Sequence, residues 1–169
     1  MIILKRKFKN FGSLEFLVIS SLMYVVVMLL WTASTRTAVV EKANDIKSNH
    51  KTVVEFINKE INECSSNENE KTSWGENCNT SWSSSSIVKF ISDNFNLNNP
   101  YKIEKPLIQT SQDPRIQAEG KAGQSTDKGI IFVSESNFDS EAGSEWVIGT
   151  CVKSPCVAAG NNELVSVYR

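Results

Sequence analysis

Residues 11–33 read FGSLEFLVISSLMYVVVMLLWTA. From Phe16 to Trp31 only Ser20, Ser21 and Tyr24 are not strictly apolar. With Leu14, Thr32 and Ala33 the run reaches about 20 residues, enough at 1.5 Å per residue to cross a hydrocarbon layer of about 30 Å. One carboxylate, Glu15, stands at its mouth. Ahead of it lies MIILKRKFKN, with Lys5, Arg6, Lys7 and Lys9 and no acid. Such a flank stays cytoplasmic and sends the C-terminal part outward, which predicts a single-pass membrane segment.

A cleaved secretory signal has an apolar core of about 7 to 15 residues and a small-residue cleavage site. This core is too long, and no A-x-A-like site follows it. A plain signal anchor for a periplasmic binding or sensor domain explains the length and the basic flank but leaves Glu15 without a purpose. A carboxylate costs about 2.5 to 3.5 kcal/mol at the bilayer centre and less near its edge, so the apolar run can carry it. An ionisable group placed there implies a function and a partner.

Beyond the apolar run the chain reads TRTAVVEKANDIKSNHKTVVEFINKEINEC. Val39, Ala43, Ile46, His50, Val53, Ile57 and Ile61 recur at steps of three or four, one stripe of an amphipathic helix, with most charges elsewhere. No Gly or Pro occurs between Gly12 and Gly75, so nothing marks a break. One helix from near Phe11 to Cys64, of about 50 residues, would span roughly 75 Å. Its first half (11–33) needs lipid or other helices, and its second half (34–63) needs a globular cover. His50, the one histidine, lies on the stripe and reads as a hydrogen-bonded structural residue.

The remainder suffices for one domain, residues 64–169. Residues 1–10 hold four of the 18 Lys and Arg, leaving 14 basic against 19 acidic groups, a balance of −5. That surface offers no footprint for nucleic acid, so no direct nucleic-acid partner is expected. Cys64, Cys78, Cys151 and Cys156 all lie beyond the apolar run. If that run directs export they meet an oxidising compartment, where four cysteines read as disulfides. Three pairings are open, and the local one, Cys64 with Cys78 and Cys151 with Cys156, is the expectation. The spacings match structural zinc poorly, so neither metal nor cofactor is expected.

Between Cys64 and Cys78 a polar loop reads as surface, with Trp74 and nearby Trp82 open to being core or exposed contacts, as is Trp146. SSSSIVKFISDNF reads as a short helix with a capping serine and Ile87, Phe90 and Ile91 on one face. NNPYKIEKPLIQ reads as an extended connector and the polar, Gly-containing stretch from Ser111 to Lys128 as a loop. Gly129 to Ser134, Glu145 to Cys151 and Glu163 to Tyr168 are rich in β-branched and aromatic residues and predict a three-stranded antiparallel meander. The fold class is therefore α+β, a long N-terminal helix on a small antiparallel sheet. Asp113, Asp127, Glu135, Asp139 and Glu141 form no D-x-[DN]-x-[DN]-G loop and read as solvated charges rather than calcium ligands. Asn79-Thr80-Ser81 matches a glycosylation pattern that carries little weight alone. With no Gly-rich phosphate loop, nucleophile elbow or metal-ligand cluster, an enzyme is not expected.

Taken together, the basic leader, Phe11, Glu15 and the apolar run resemble the class III prepilin leader and first helix of a bacterial type IV pilin, of type IVa kind, major or minor. In that family an aromatic first residue follows the cut and a glutamate stands at the fifth mature position, the relation of Phe11 to Glu15. KSNHKTVVEFINKEINEC, the Asn-Pro-Tyr at 99–101 and GTCVKSPC are similar to one group of these pilins. The resemblance implies removal of residues 1–10 by a prepilin peptidase between Asn10 and Phe11, and N-methylation of Phe11. It implies that Glu15 neutralises the new amine of a neighbouring copy and so fixes axial register, because an unpaired charge in the filament core is costly. The chain departs from the family where the leader should end in glycine: Asn10 precedes Phe11, and Gly12 follows it. A cut after Gly12 would leave Ser13 first and Glu15 third. The implied partners are other pilin subunits, the peptidase, the membrane and an inner-membrane assembly platform. The implied location is first the inner membrane and then an extracellular pilus, serving adhesion, motility or DNA uptake. A type II secretion pseudopilin shares the leader and helix and remains the alternative.

Overall fold

In the computed structural model, residues 12–67, 70–120, 128–136 and 144–169 are described. The first helix, α1, runs continuously over Ser13–Ser66, 54 residues, as the absence of helix breakers predicts. The chain divides into two units, Met1–Val40 and Glu41–Arg169. In the first, every described residue is exposed. In the second, α1 buries Ala43, Ile46, His50, Val53, Ile57, Ile61 and Cys64, the predicted stripe, together with Glu60. Val39, the stripe's first member, belongs to the first unit and is exposed.

The fold class is α+β: the long helix packs on a small sheet. That sheet corrects the three-stranded antiparallel expectation, because it is four-stranded and mixed, in the order β1(Ile108–Thr110), β2(Ile131–Ser136), β3(Glu145–Cys151), β4(Asn162–Tyr168). The last three form the antiparallel meander, and β1 adds to its edge parallel to β2. A three-residue strand following Pro106 has too few side chains to show an alternation. A second short helix, α2(Ser84–Asn94), buries Ile87 and Ile91 against the core. Its N-cap, Ser83, makes no side-chain cap bond, and its hydroxyl pairs with that of Ser85 instead.

The register assigns the two faces. Trp146, Ile148 and Thr150 of β3 stand beside Val167, Val165 and Glu163 of β4 and Glu135, Val133 and Ile131 of β2. On this face Trp146, Ile148 and Val133 are fully buried in one cluster with Ile46, Val53 and Ile57 of α1. The opposite face carries Phe132, Val147 and Gly149 and is covered by a third helix, α3(Pro114–Glu119), inside the stretch expected to be a loop. Its signals are textual: Asp113 accepts bonds from the amides of Arg115 and Ile116, Pro114 opens the helix, and Gly120 ends it at φ 70°. Composition over the whole stretch hides so short an element.

Gly149 is where α3 reaches the sheet. A Cβ there would sit 2.5 Å from the Pro114 carbonyl oxygen and 3.1 Å from the Ala118 Cβ. Backbone cannot yield as a side-chain tip can. Gly149→Ala is therefore expected to push α3 off the sheet and cost about 1–3 kcal/mol, read as a lowered urea midpoint. An unchanged midpoint would show that α3 does not bear on β3. Arg115 pins the same helix: its guanidinium lies 2.8 Å from Glu145, a carboxylate almost fully buried at the start of β3.

Both disulfides take the local pairing, with Cα separations of 5.1 Å for Cys64–Cys78 and 5.2 Å for Cys151–Cys156. The first ties the Trp-bearing loop to the end of α1. The connector is held by Asn99, whose side-chain oxygen accepts from the amides of Tyr101 and Lys102 while its nitrogen donates to the Lys128 carbonyl.

Candidate functional site

Among the described residues one helix, α1, is long and apolar enough to cross a membrane by length and composition. Fifteen large apolar side chains from Leu14 to Trp31 are each between 47% and 75% exposed. They point in all directions, so this segment requires an apolar surrounding that the described residues of its own unit do not supply. Its serine and threonine hydroxyls are already satisfied: Ser20 and Ser21 donate to the carbonyls of Leu17 and Val18, and Thr32 donates to Leu29. Those bonds hide three polar groups inside the helix's own ladder. From Ser13 to Thr35 the one ionisable side chain apart from Tyr24 is Glu15.

Glu15 occupies the third helical position. Its amide donates to the Gly12 carbonyl at 3.0 Å, closing the first turn, and the Gly12 amide donates back to Glu15 Oε2 at 3.2 Å. This is the carboxylate half of a capping box, with glycine supplying no hydroxyl for the other half. A negative charge here also meets the partial positive charge of the helix start. Oε2 is thus engaged within the chain, while Oε1 and the net charge stay available to a cation from outside. Asn10 and Phe11, the predicted cleavage and methylation positions, lie outside the described residues. Gly12 and Ser13, the alternative pair, form the start of α1.

His50 is buried, and its Nε2 lies 3.3 Å from the Ile148 carbonyl of β3, which ties α1 to the sheet. Burial holds its pKa below the usual 6.5, against smaller opposing contributions from that carbonyl and from the Glu163 charge. Glu163 itself is paired with Lys47 at 2.8 Å. With the folded pKa depressed, the unfolded chain binds more protons between the two pKa values, so stability rises with pH across that window. Stability is therefore expected to be complete above about pH 6.5 and to fall as the pH drops below it. His50→Gln, which keeps a donor and removes the titration, should flatten the decline in melting temperature between pH 7 and pH 5.5. An equal decline in both proteins would remove His50 as its source.

The three tryptophans of the head pack in the core or against it rather than standing as exposed contacts. Trp146 is fully buried, Trp82 nearly so and Trp74 half-buried, and the ring centroids step from Trp74 to Trp82 at 5.0 Å and on to Trp146 at 6.2 Å. Of the five acids weighed as calcium ligands, Asp113 caps α3 and Glu135 lies on β2, while Asp127, Asp139 and Glu141 fall outside the described residues. No group of three potential metal ligands occurs among the described residues.

Glu60 escaped the sequence reading. It is buried and accepts from both the amide and the hydroxyl of Ser73, holding the disulfide loop against α1. Its spacing gives it away, three residues after Ile57 and four before Cys64 on the same stripe. A carboxylate on an apolar stripe reads as an interruption until its partner is visible. Arg169 was missed as well: it stacks 4.1 Å over the Trp82 ring and donates to the Thr80 carbonyl.

Compared with known proteins, the chain matches no family model, no curated protein and no solved structure.

Proposed function

We propose that this chain is a type IV pilin-like structural subunit, a non-enzymatic protein that polymerises through the apolar half of α1 into a cell-surface fibre. The observation that carries the reading is the contrast within one helix. Residues 14–31 are apolar and uncovered on every side, with one carboxylate at their start, whereas from Ala43 onward a single stripe is buried under the head. A lipid anchor needs the first feature but has no use for the carboxylate. A bundle of identical helices uses both, because the carboxylate can meet an amine exposed by cleavage ahead of Phe11 on a neighbouring copy.

On this reading residues 1–10 are removed by a prepilin peptidase between Asn10 and Phe11, and the Phe11 amine is methylated. The chain waits in the inner membrane, is extracted by an assembly platform, and ends in an extracellular pilus with other copies of itself. The self-contained bond between Gly12 and Glu15 favours this cut over one after Gly12, since removing Gly12 would delete the amide that Oε2 accepts. The test is to shear surface filaments from cells expressing the chain, image them and identify their protein by mass spectrometry. Filaments containing this chain support the reading, and a chain confined to the membrane fraction overturns it.

A further inference from the structure

Between Phe16 and Trp31, Tyr24 carries the one side-chain hydroxyl with no hydrogen-bond partner among the described residues. Ser20 and Ser21 donate to the carbonyls of Leu17 and Val18, whereas Tyr24 is 64% exposed and bonds to nothing described. Its place along the helix makes that costly. Leu14 to Trp31 rises about 26 Å, and Tyr24 lies about 2 Å from the middle of that run. Tyrosine in a membrane span ordinarily sits at an edge, where its hydroxyl meets water. Here each boundary of the hydrocarbon layer is about 15 Å away, farther than the side chain extends. A phenol left unpaired in hydrocarbon carries the penalty of any buried polar group without a partner.

The helix also separates this hydroxyl from Glu15. Tyr24 follows Glu15 by nine residues, and at about 100° per residue the two side chains leave opposite sides of α1. Beside Tyr24, at steps of three and four, stand Leu17, Ser20, Val27 and Trp31, the spacing of a seam between two helices. Helical side chains lean toward the N-terminus, so the Tyr24 ring reaches back toward the level of Ser20. The Ser20 hydroxyl gives its hydrogen to Leu17 and keeps oxygen lone pairs for a donor from outside.

We infer that two copies of this chain pair in the membrane, side by side at equal depth, with Tyr24 of each donating to Ser20 of the other. The chain's own topology selects this occupant. Every copy carries the same basic flank, enters with that flank on the same side, and so presents Ser20 to a neighbour's Tyr24 at matching depth. A two-fold axis along the membrane normal satisfies both phenols at once, and the contact closes at two copies. Serine at the seam lets the backbones approach, and hydroxyl bonds hold helices together where hydrophobicity cannot. The inference rests on the membrane placement in the reading above and goes beyond the fibre. The pair is unstaggered, lies on the side of α1 away from Glu15, and leaves both carboxylates free for assembly.

The test is oxidative cross-linking of the full-length chain in membranes of a host without fibre-assembly machinery, read as the fraction of covalent dimer. The native cysteines are closed in disulfides within the chain. Leu17→Cys, on the Tyr24 side, should give dimer, and Leu22→Cys, on the Glu15 side, should give roughly fivefold less. Adding Tyr24→Phe to Leu17→Cys keeps the ring, removes the hydroxyl and should lower the dimer about fivefold, the effect of two modest hydrogen bonds. Ser20→Ala should do the same, and the two together should lower it no further than either alone. Dimer unchanged by Tyr24→Phe, or equal dimer from Leu17→Cys and Leu22→Cys, overturns the pairing. Additive losses overturn it too, because Tyr24 and Ser20 would then meet something other than each other. Chain in the membrane without dimer removes the pairing alone; chain absent from the membrane fraction removes the membrane placement and the pairing with it.

Discussion

Glu15→Ala is expected to leave the chain in the membrane and to remove it from surface filaments. Insertion should hold or improve, because the carboxylate opposes partition into lipid by an amount that is at most about 2.5–3.5 kcal/mol and smaller near the bilayer edge. The own-chain bond from the Gly12 amide, at 3.2 Å, is lost as well, but it caps one helix end that is exposed. Assembly is another matter. Removing one partner of a desolvated pair leaves the other charge unmatched, a cost of about 3–5 kcal/mol at each joint. At 1.4 kcal/mol per tenfold, that corresponds to more than a hundredfold loss of filament.

Glu15→Gln separates the two roles of this side chain. The amide oxygen can still accept from Gly12, so the cap survives and the charge does not. If the charge sets register, the Gln variant should be as filament-poor as the Ala variant. Normal filaments from Glu15→Gln would reduce the residue to a helix cap and remove the electrostatic argument.

The second large effect is expected in the head. Trp146 is fully buried at the α1-facing side of β3, between Val167 and Glu135 in register and next to the Trp82 ring. Trp146→Ala should destabilise the head by about 3–5 kcal/mol through lost burial and an unfilled cavity. That is a large share of the 5–15 kcal/mol typical of a domain. Trp146→Phe should cost clearly less. The indole Nε1–H is buried with no hydrogen-bond partner among the described residues, so the smaller ring also removes an unsatisfied donor and offsets part of the cavity. Urea unfolding of the three proteins checks the order. Equal losses for Phe and Ala would show that the N–H has a partner after all, and a loss below about 1.5 kcal/mol for Ala would place the ring outside the core.

Long periodic elements were legible in the sequence because many residues vote for them. The stripe from Ala43 to Ile61 became the buried face of α1, and Glu145 to Cys151 became β3 with the same ends. The short elements were not. β1 has three residues, and α3 has six inside a polar stretch, so each depends on sheet pairing or on capping chemistry at single positions. Asp113, Pro114 and Gly120 did spell out α3, but only when read as positions rather than as loop composition.

The candidate site divides the same way. Glu15 stands out in the text because a carboxylate conflicts with its apolar surroundings. Its bond to Gly12 depends on where the helix begins, which sequence periodicity leaves open by a residue or two. Glu60 shows the converse: its conflict with the stripe was visible, and its resolution by Ser73 needed the folded loop.

The central claim is that Glu15 meets an amine that does not exist until the leader is removed. The most direct measurement is the mass of the N-terminal peptide from chain recovered in sheared filaments. The account predicts a peptide beginning at Phe11 with a methylated amine. A peptide still carrying Met1 to Asn10, from chain residing in the membrane, would contradict it.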